Sequence, residues 1–174
     1  MNGRMDLSQA EGVFVLPDRR PVRVLLISGG SGITPMLSIA STLASEGHCA
    51  DRDTGTLGPD LAITPSTQGR VAWLHYARRV EDVPFRDRLR ELSRAGIDVQ
   101  VIPTAEGTST WGLDGHLTAA HLEAVAPWHP GATVFLCGPE GLATGLEDAL
   151  GTDRFAEVLR ERFTATVAEV PDTD

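Results

Sequence analysis

A short apolar run followed by a glycine-rich turn constrains the fold of this chain more than any other stretch. Residues 22–27 read Val-Arg-Val-Leu-Leu-Ile, and Ser-Gly-Gly-Ser-Gly-Ile-Thr-Pro follows at 28–35. The run is too short and too β-branched for a helix, so it predicts a strand that is buried on both faces. Apolar residues at helical spacing then extend from Met36 to Leu43. The stretch therefore predicts a strand, a tight turn and a helix, in that order.

The glycine turn has the features of a phosphate site. Gly29, Gly30 and Gly32 permit positive φ angles and the close approach of another backbone. Thr34 is the predicted N-cap and Pro35 the first helical residue, a position that suits the fixed φ of proline. A helix that begins here directs its free N–H groups and the positive end of its dipole at the turn, which attracts a phosphate. The spacing departs from the three-glycine dinucleotide fingerprint, so a simple tight connection is the alternative.

Composition excludes several classes of function. The chain has 174 residues, of which 41% are hydrophobic and 22% charged, as expected for one globular domain. Its net charge of −9 argues against nucleic acid as a partner, and the absence of lysine excludes a Schiff-base or P-loop lysine. Cys49 and Cys137 are too few for a ferredoxin-type cluster. Because no signal core or membrane-length apolar run is present, we expect a cytoplasmic protein with no membrane partner.

Strands and helices alternate along the rest of the chain. Such alternation predicts an α/β fold with a parallel sheet and right-handed crossovers. The third strand alternates polar and apolar residues, which indicates a sheet edge. The segment 155–163 fits either a last strand or a helix. Further strands are predicted at 71–77, 97–103 and 132–137, and further helices at 118–125 and from Pro139 onward.

The helix after the second strand has a clear predicted start. Asp82 is its candidate N-cap and Pro84 its candidate first residue. Phe85, Leu89 and Leu92 are spaced to form one apolar stripe against the core. We therefore expect all three of these side chains to be buried.

Neither the loops nor the histidines predict a metal site. Residues 47–70 show little pattern and are interpreted as an inserted, mobile surface loop, since connections in α/β units are usually short. His75 is more consistent with a core-edge histidine than with a ligand. His116, His121 and His129 share no ligand spacing and are interpreted as surface residues.

Three motifs occur together in a recognisable order. They are Gly-Gly-Ser-Gly-Ile-Thr-Pro at 29–35, Tyr-Ala-Arg at 76–78 with Asp-Val-Pro-Phe at 82–85, and Cys-Gly-Pro at 137–139. In order and approximate spacing they resemble the ferredoxin–NADP⁺ reductase family, in particular flavodoxin and ferredoxin reductases, oxygenase reductases and flavohaemoglobin reductase domains. The resemblance implies a Rossmann-like five-stranded parallel sheet of order 3-2-1-4-5, with helices on both faces, that binds NADH or NADPH.

The resemblance also implies roles for individual residues. The glycine turn would hold the pyrophosphate, Arg78 would lie near the adenosine ribose, and the turn after Cys137 would lie beside the nicotinamide. Cys137 is the predicted catalytic residue, with a buried structural cysteine as the alternative. Phe163, in a sequence similar to the family's C-terminal Glu-x-Phe, would lie near the flavin. The predicted cofactor-binding residues are Gly29, Gly30, Ser31, Gly32, Ile33, Thr34, Pro35, Arg78, Arg79, Thr104, Glu106, Gly138, Pro139, Glu140 and Phe163.

The chain departs from the family in lacking its FAD-binding barrel motifs, Arg-x-Tyr-Ser and a later Gly-x-x-Ser/Thr. Residues 1–20 resemble the last barrel strand and a linker, residues 21–163 the NAD(P)-binding domain, and residues 164–174 a C-terminal tail. We therefore expect the cofactor half of a two-domain reductase, from a truncated gene, a split protein or an engineered fragment. FAD is expected only if a barrel domain is supplied elsewhere.

Coenzyme preference and partners follow from the same resemblance. Thr104 and Glu106 stand where NADP-specific members have a Ser-Arg-like pair. Glu106 would repel a 2′-phosphate and Arg78 with Arg79 would attract one, so we expect NADH or dual use. The expected partners are an FAD-binding domain or flavoprotein and an acceptor such as ferredoxin, flavodoxin, a haem protein or an oxygenase. The alternatives are a non-catalytic dinucleotide module that docks on a separate flavoprotein, or an unrelated α/β enzyme whose turn binds another phosphate.

Overall fold

One parallel sheet between two helical layers forms the part of the chain that the structure, a computed structural model, describes: residues 14–49, 71–105 and 112–161. The sheet order is β3-β2-β1-β4-β5, with every neighbouring pair parallel. This arrangement confirms the predicted α/β class and the order 3-2-1-4-5. The elements are β1 (Val24–Gly29), α1 (Ile33–Ser45), β2 (Val71–Ala77), α2 (Arg86–Arg94), β3 (Asp98–Pro103), α3 (Ala119–Val125), β4 (Thr133–Cys137), α4 (Glu140–Leu150) and β5 (Glu157–Glu161).

Strand β1 is the centre of the sheet. It pairs with β2 on one side and β4 on the other, and all six of its residues are buried. Its apolar side chains are covered on both faces, as the sequence predicts for a central parallel strand. The strand begins at Val24 rather than at Val22, which is 73% exposed and precedes the paired residues.

The two faces of the sheet carry separate hydrophobic clusters. Helices α1 and α2 cover one face, where Trp73 and Phe135 are fully buried, and α3 and α4 cover the other. Phe14 packs edge-on against Phe135, with ring centroids 5.5 Å apart. The Arg20 guanidinium donates two hydrogen bonds of 2.8 Å to the Glu46 carboxylate just after α1. The described part of the segment before β1 therefore packs on the α1 side of the sheet.

The start of α2 differs from the prediction. Residues Val80–Asp82 form a 3₁₀ turn, and α2 begins at Arg86. Val83 has the extended ψ of 120° that steric contact imposes on a residue before proline, so no helix runs through Pro84. Phe85 then takes a left-handed φ of 60°, and its side chain is 54% exposed instead of joining the buried stripe of α2.

Two of the three histidines interpreted as surface residues are buried. His121 lies 5% exposed on α3 and His129 is fully buried in the turn that follows, because both pack against the α3 and α4 side of the sheet. The ring of His121 hydrogen-bonds to the Tyr76 hydroxyl across 3.1 Å, whereas His116 is exposed.

The remaining expectations concern the edges and the inserted loop. Strands β3 and β5 are the sheet edges, which confirms the edge position of the third strand and identifies the segment left open as a strand. Most of the predicted loop, at 50–70, and the tail lie outside the described residues.

No helix within the described ranges has both the length and the apolar character needed to cross a membrane.

Candidate functional site

A cleft of about 520 Å³ opens at the carboxyl edge of the sheet, over the ends of β1 and β2. Ligands of open parallel sheets bind at this edge, at the point where the strand order reverses. In this sheet β2 and β3 lie on one side of β1, and β4 and β5 lie on the other. From the glycine turn the cleft is lined by Gly29, Gly30, Ser31, Ile33 and Thr34. It is also lined by three predicted residues that lie just after the other strands: Arg78 after β2, Thr104 after β3 and Pro139 after β4.

The glycine turn has a different backbone from the one predicted. Residues Gly30–Gly32 form a 3₁₀ turn that continues into α1, whose N-cap is Gly32 and whose first residue is Ile33. Thr34 and Pro35 are therefore the second and third helical residues, not the N-cap and the first. The reason is that Gly32 is already in the right-handed helical region, which leaves no extended residue at Thr34 to act as a cap.

Only Gly30 of the three glycines has a positive φ, of 54°. Gly29 and Gly32 have φ values of −140° and −62°, so their smallness serves close packing. A Cβ on Gly32 would lie 2.0 Å from the carbonyl oxygen of Cys137. The turn after β1 is thus in direct contact with the end of β4.

The turn after β4 closes against the same place from the other side. A Cβ on Gly138 would lie 2.9 Å from the backbone nitrogen of Gly29, and one on Gly29 would lie 3.0 Å from Cδ of Pro139. The two turns that the sequence singled out are therefore packed together. Their union forms one wall of the cleft, which Pro139 lines and α4 extends.

The polar groups of the cleft favour an anion at the start of α1. The first turn of α1 contains no acidic residue that would offset the positive end of its dipole. The side chains of Ser31 and Thr34 are exposed, line the cleft and have no hydrogen-bond partner among the residues that the structure describes. Arg78 adds a cation beside the end of β2, and Asp82 adds a carboxylate at the same side.

Cys137 is fully buried and is not among the residues that line the cleft. Burial raises the pKa of its thiol to about 11, and the Glu161 carboxylate adds to the rise. The thiol therefore stays protonated near neutral pH and packs in the core on the α1 side of the sheet. Its catalytic role stays a prediction.

The other predicted binding residues lie apart from the cleft. Gly32 packs behind the turn, Pro35 is half-buried in α1, and Arg79 is not among the lining residues. Gly138, in the turn after β4, and Glu140, the first residue of α4, lie near Arg160 and are not among the residues that line the cleft. Glu106 and Phe163 lie outside the residues that the structure describes.

Several residues of the cleft were not predicted to belong to the site. Those with polar or aromatic side chains are His75, Tyr76, Asp82, Phe85 and His116. His75 is 1% exposed, its Nδ1 lies 2.8 Å from the Ser28 hydroxyl, and burial lowers its pKa to about 4. The sequence feature that could have identified them is their position, because most of them lie at the end of β2 or just after it, at the edge of the sheet where ligands bind.

Comparison with known proteins gives the family of the chain. Residues 26–148 match the family described as oxidoreductase NAD-binding domain. The chain is 30% identical over 167 residues to the NADH oxidoreductase HCR of Escherichia coli, covering 94% of this chain and 42% of that protein. It is 30% identical over 151 residues to the ferredoxin reductase component of the 3-ketosteroid-9-alpha-monooxygenase of Mycolicibacterium smegmatis, covering 84% of this chain and 35% of that protein.

A solved structure gives the same result. The FAD/NAD-binding domain of the nitric oxide dioxygenase of Vibrio cholerae superposes with a TM-score of 0.63 at 26% identity, covering 88% of this chain and 55% of that one. The chain spans well under half the length of the two curated relatives above. The resemblance to ferredoxin reductases is thereby confirmed, over the part of those proteins that the chain represents. The chain belongs to the oxidoreductase NAD-binding domain family.

Proposed function

We propose that this chain binds NADH or NADPH in the cleft at the carboxyl edge of the sheet and presents the nicotinamide to a flavin. The flavin would be held by an FAD-binding domain or a separate flavoprotein, and the electrons would pass on to an iron–sulfur, flavodoxin or haem acceptor. The relatives named as reductases of oxygenase systems support such an acceptor. The observation that carries the proposal is the contact between the two turns after β1 and β4 beside the cleft.

The residues present fit a dinucleotide. A cleft of about 520 Å³ is of the size that small-molecule and cofactor sites have. The amino end of α1 and the unpartnered hydroxyls of Ser31 and Thr34 suit a pyrophosphate, and Arg78 suits a phosphate or ribose beside it. Since Gly30 has open space where a side chain would stand, its backbone can approach the ligand closely.

The chain's own contribution is position and charge. When bound, the nicotinamide supplies the hydride that the flavin accepts. The backbone turn at Pro139 bounds one end of the cleft and the β2 end bounds the other, so the dinucleotide would lie across β1. Cys137 would support the turn at Pro139 from the core, with its thiol protonated.

Coenzyme preference depends on charge at the end of β2. Arg78 favours an additional 2′-phosphate, and Asp82, in the same wall of the cleft, disfavours one. Because these effects oppose each other, we propose NADH or use of both coenzymes.

Calorimetric titration with NADH and NADPH tests the proposal. Arg78→Ala removes a charged donor from the cleft and should weaken binding roughly 10-fold. Arg94→Ala is the charge-matched control, because Arg94 is exposed at the end of α2 that is remote from the cleft. Absence of binding by the unchanged protein would refute the proposal.

Catalysis is tested separately from binding. The protein is mixed with FAD and an artificial electron acceptor, and the loss of reduced nicotinamide absorbance is followed against FAD alone. Acceleration supports the reductase function. Binding without acceleration would show that free FAD does not replace a flavin held by a protein. The assay is then repeated with a flavoprotein or FAD-binding domain added, and binding without acceleration there favours the alternative, a non-catalytic dinucleotide module.

A further inference from the structure

Phe85 departs from its sequence pattern in both backbone and side chain. Its φ of 60° and ψ of 27° lie in the left-handed region, which is sterically unfavourable for a bulky L-residue. It is the one non-glycine residue with positive φ in the described part of the chain. Leu89 and Leu92, which share its helical stripe, are buried, whereas Phe85 is 54% exposed. The strained backbone therefore coincides with a large apolar side chain that has left the core.

Neighbouring contacts hold Phe85 in this conformation. The Arg86 guanidinium donates a 2.7 Å hydrogen bond to the carbonyl of Val80, and the Leu89 N–H donates one of 3.0 Å to the carbonyl of Phe85. Val83 is buried, and the φ angle of Pro84, which directly precedes Phe85, is fixed by the proline ring. Strain of this kind persists only where the surrounding structure imposes it, and it is concentrated at functional sites.

The left-handed backbone determines where the ring lies. With an ordinary helical φ, the spacing of Phe85 would continue the stripe of Leu89 and Leu92 into the core. Instead Phe85 is largely exposed and lines the cleft together with Arg78 and Asp82. It makes no aromatic or cation contact with any residue that the structure describes. Its surface is therefore available to a ligand.

We propose that Phe85 is a stacking platform for the adenine base of the dinucleotide, an inference that rests on the proposed function. A pyrophosphate at the amino end of α1 leaves one nucleoside over the β4 side of the cleft and the other over the end of β2. The β2 side carries Arg78 and Phe85, and an aromatic ring there offers a base its π-face without any hydrogen bond. The strain at this position is the cost of turning the ring from the core to the ligand.

Calorimetry with two ligands and four proteins tests the platform. NADH and ADP-ribose, which has the adenine but no nicotinamide, are titrated into the unchanged protein and into F85A, F85G and F85W. We expect F85A and F85G to weaken both ligands by the same factor, roughly 5-fold or more, and F85W to bind like the unchanged protein.

Thermal unfolding of the same variants separates stacking from a structural role. Glycine adopts the left-handed backbone without steric cost, whereas alanine adopts it at a cost, so F85G should unfold at a higher temperature than F85A. Equal affinity loss in two variants of different stability supports loss of the ring as the cause. An affinity loss that follows the order of stability would overturn the proposal.

The remaining outcomes are also decisive. The platform is overturned if F85A binds both ligands normally, and equally if NADH weakens while ADP-ribose does not, because the ring would then serve the nicotinamide end. If the unchanged protein binds neither ligand, the proposed function fails and the platform fails with it. Normal binding by F85A leaves the proposed function intact, so the two failures are distinguishable.

Discussion

At the scale of single residues, the turn after β1 places two glycines under different constraints. Gly30 has a φ of 54° but open space around the position of a Cβ. Gly32 has an ordinary helical φ, but a Cβ there would lie 2.0 Å from the Cys137 carbonyl oxygen and 2.6 Å from its carbon. The first glycine is needed for a dihedral angle and the second for space.

Substitution by alanine should separate these two requirements. Gly30→Ala should lower the free energy of unfolding by about 1 kcal/mol, the cost of a left-handed L-residue. Gly32→Ala should lower it by about 3 kcal/mol or more, because the atom it meets belongs to the backbone of β4 and cannot rotate away. Urea unfolding of the two variants measures the difference, and equal losses would contradict the packing of the two turns.

His75 gives the protein a residue-level dependence on pH. Its Nδ1 is held 2.8 Å from the Ser28 hydroxyl, which also accepts the Trp73 indole N–H at 2.8 Å. Burial lowers the pKa of His75 from 6.5 to about 4, because the charged ring would lose its hydration. As the pH falls below 6.5, the unfolded chain binds a proton that the folded protein does not bind until about pH 4.

The stability that His75 contributes is therefore present above pH 6.5 and is lost progressively down to about pH 4. The loss should reach roughly 3 kcal/mol over this window. In His75→Gln, which cannot be protonated, the free energy of unfolding should fall less over the same range. Urea unfolding at pH 7 and pH 4 measures both slopes, and parallel slopes would exclude His75 as the titrating group.

At the scale of elements, the sheet is strongest at its centre. Strand β1 is paired on both sides and wholly buried, whereas β5 is an edge strand whose residues are exposed or half-buried. Ion pairs such as that of Arg160 in β5 with Glu147 in α4 are partly exposed and therefore contribute little to the free energy of unfolding.

Amide hydrogen exchange should follow this order. The amides of β1 should exchange only through global unfolding, whereas those of β5 should exchange faster through local opening of the edge. Mass spectrometry of peptides from the two strands measures the rates. Comparable protection in β1 and β5 would show that the edge strand is stabilised by something beyond the described contacts.

Elements also differ in how well local sequence predicts them. The central strands were predictable because burial on both faces leaves a continuous apolar run, as in β1, whereas the half-buried edge strand β5 has no such run and its sequence fits either a strand or a helix. The starts of α1 and α2 were not predictable, because their limits follow from backbone dihedral angles. Gly32, two residues ahead of the predicted cap Thr34, already has helical dihedral angles, and Val83, which precedes Pro84, is extended. Propensity describes the interior of a helix better than its first turn.

At the scale of the whole molecule, the strand order creates the site. Segments far apart in sequence, after β1, β2, β3 and β4, meet at one edge of the sheet and line one cleft. The net charge of −9 opposes the approach of an anionic dinucleotide. The attraction must therefore be local, from the amino end of α1 and from Arg78.

The sequence alone determined the fold class and the position of the glycine turn, because buried strands and tight turns leave a local signal in residue type. The strand order followed from the resemblance of three motifs to the ferredoxin–NADP⁺ reductase family, not from local residue type. The sequence could not determine which residues around the glycine turn share a cleft. Contacts such as Gly32 with Cys137 join positions that are distant in the chain. The exposure of Phe85 and the burial of His121 were decided by tertiary structure, since each depends on which neighbours pack against the residue and not on its spacing.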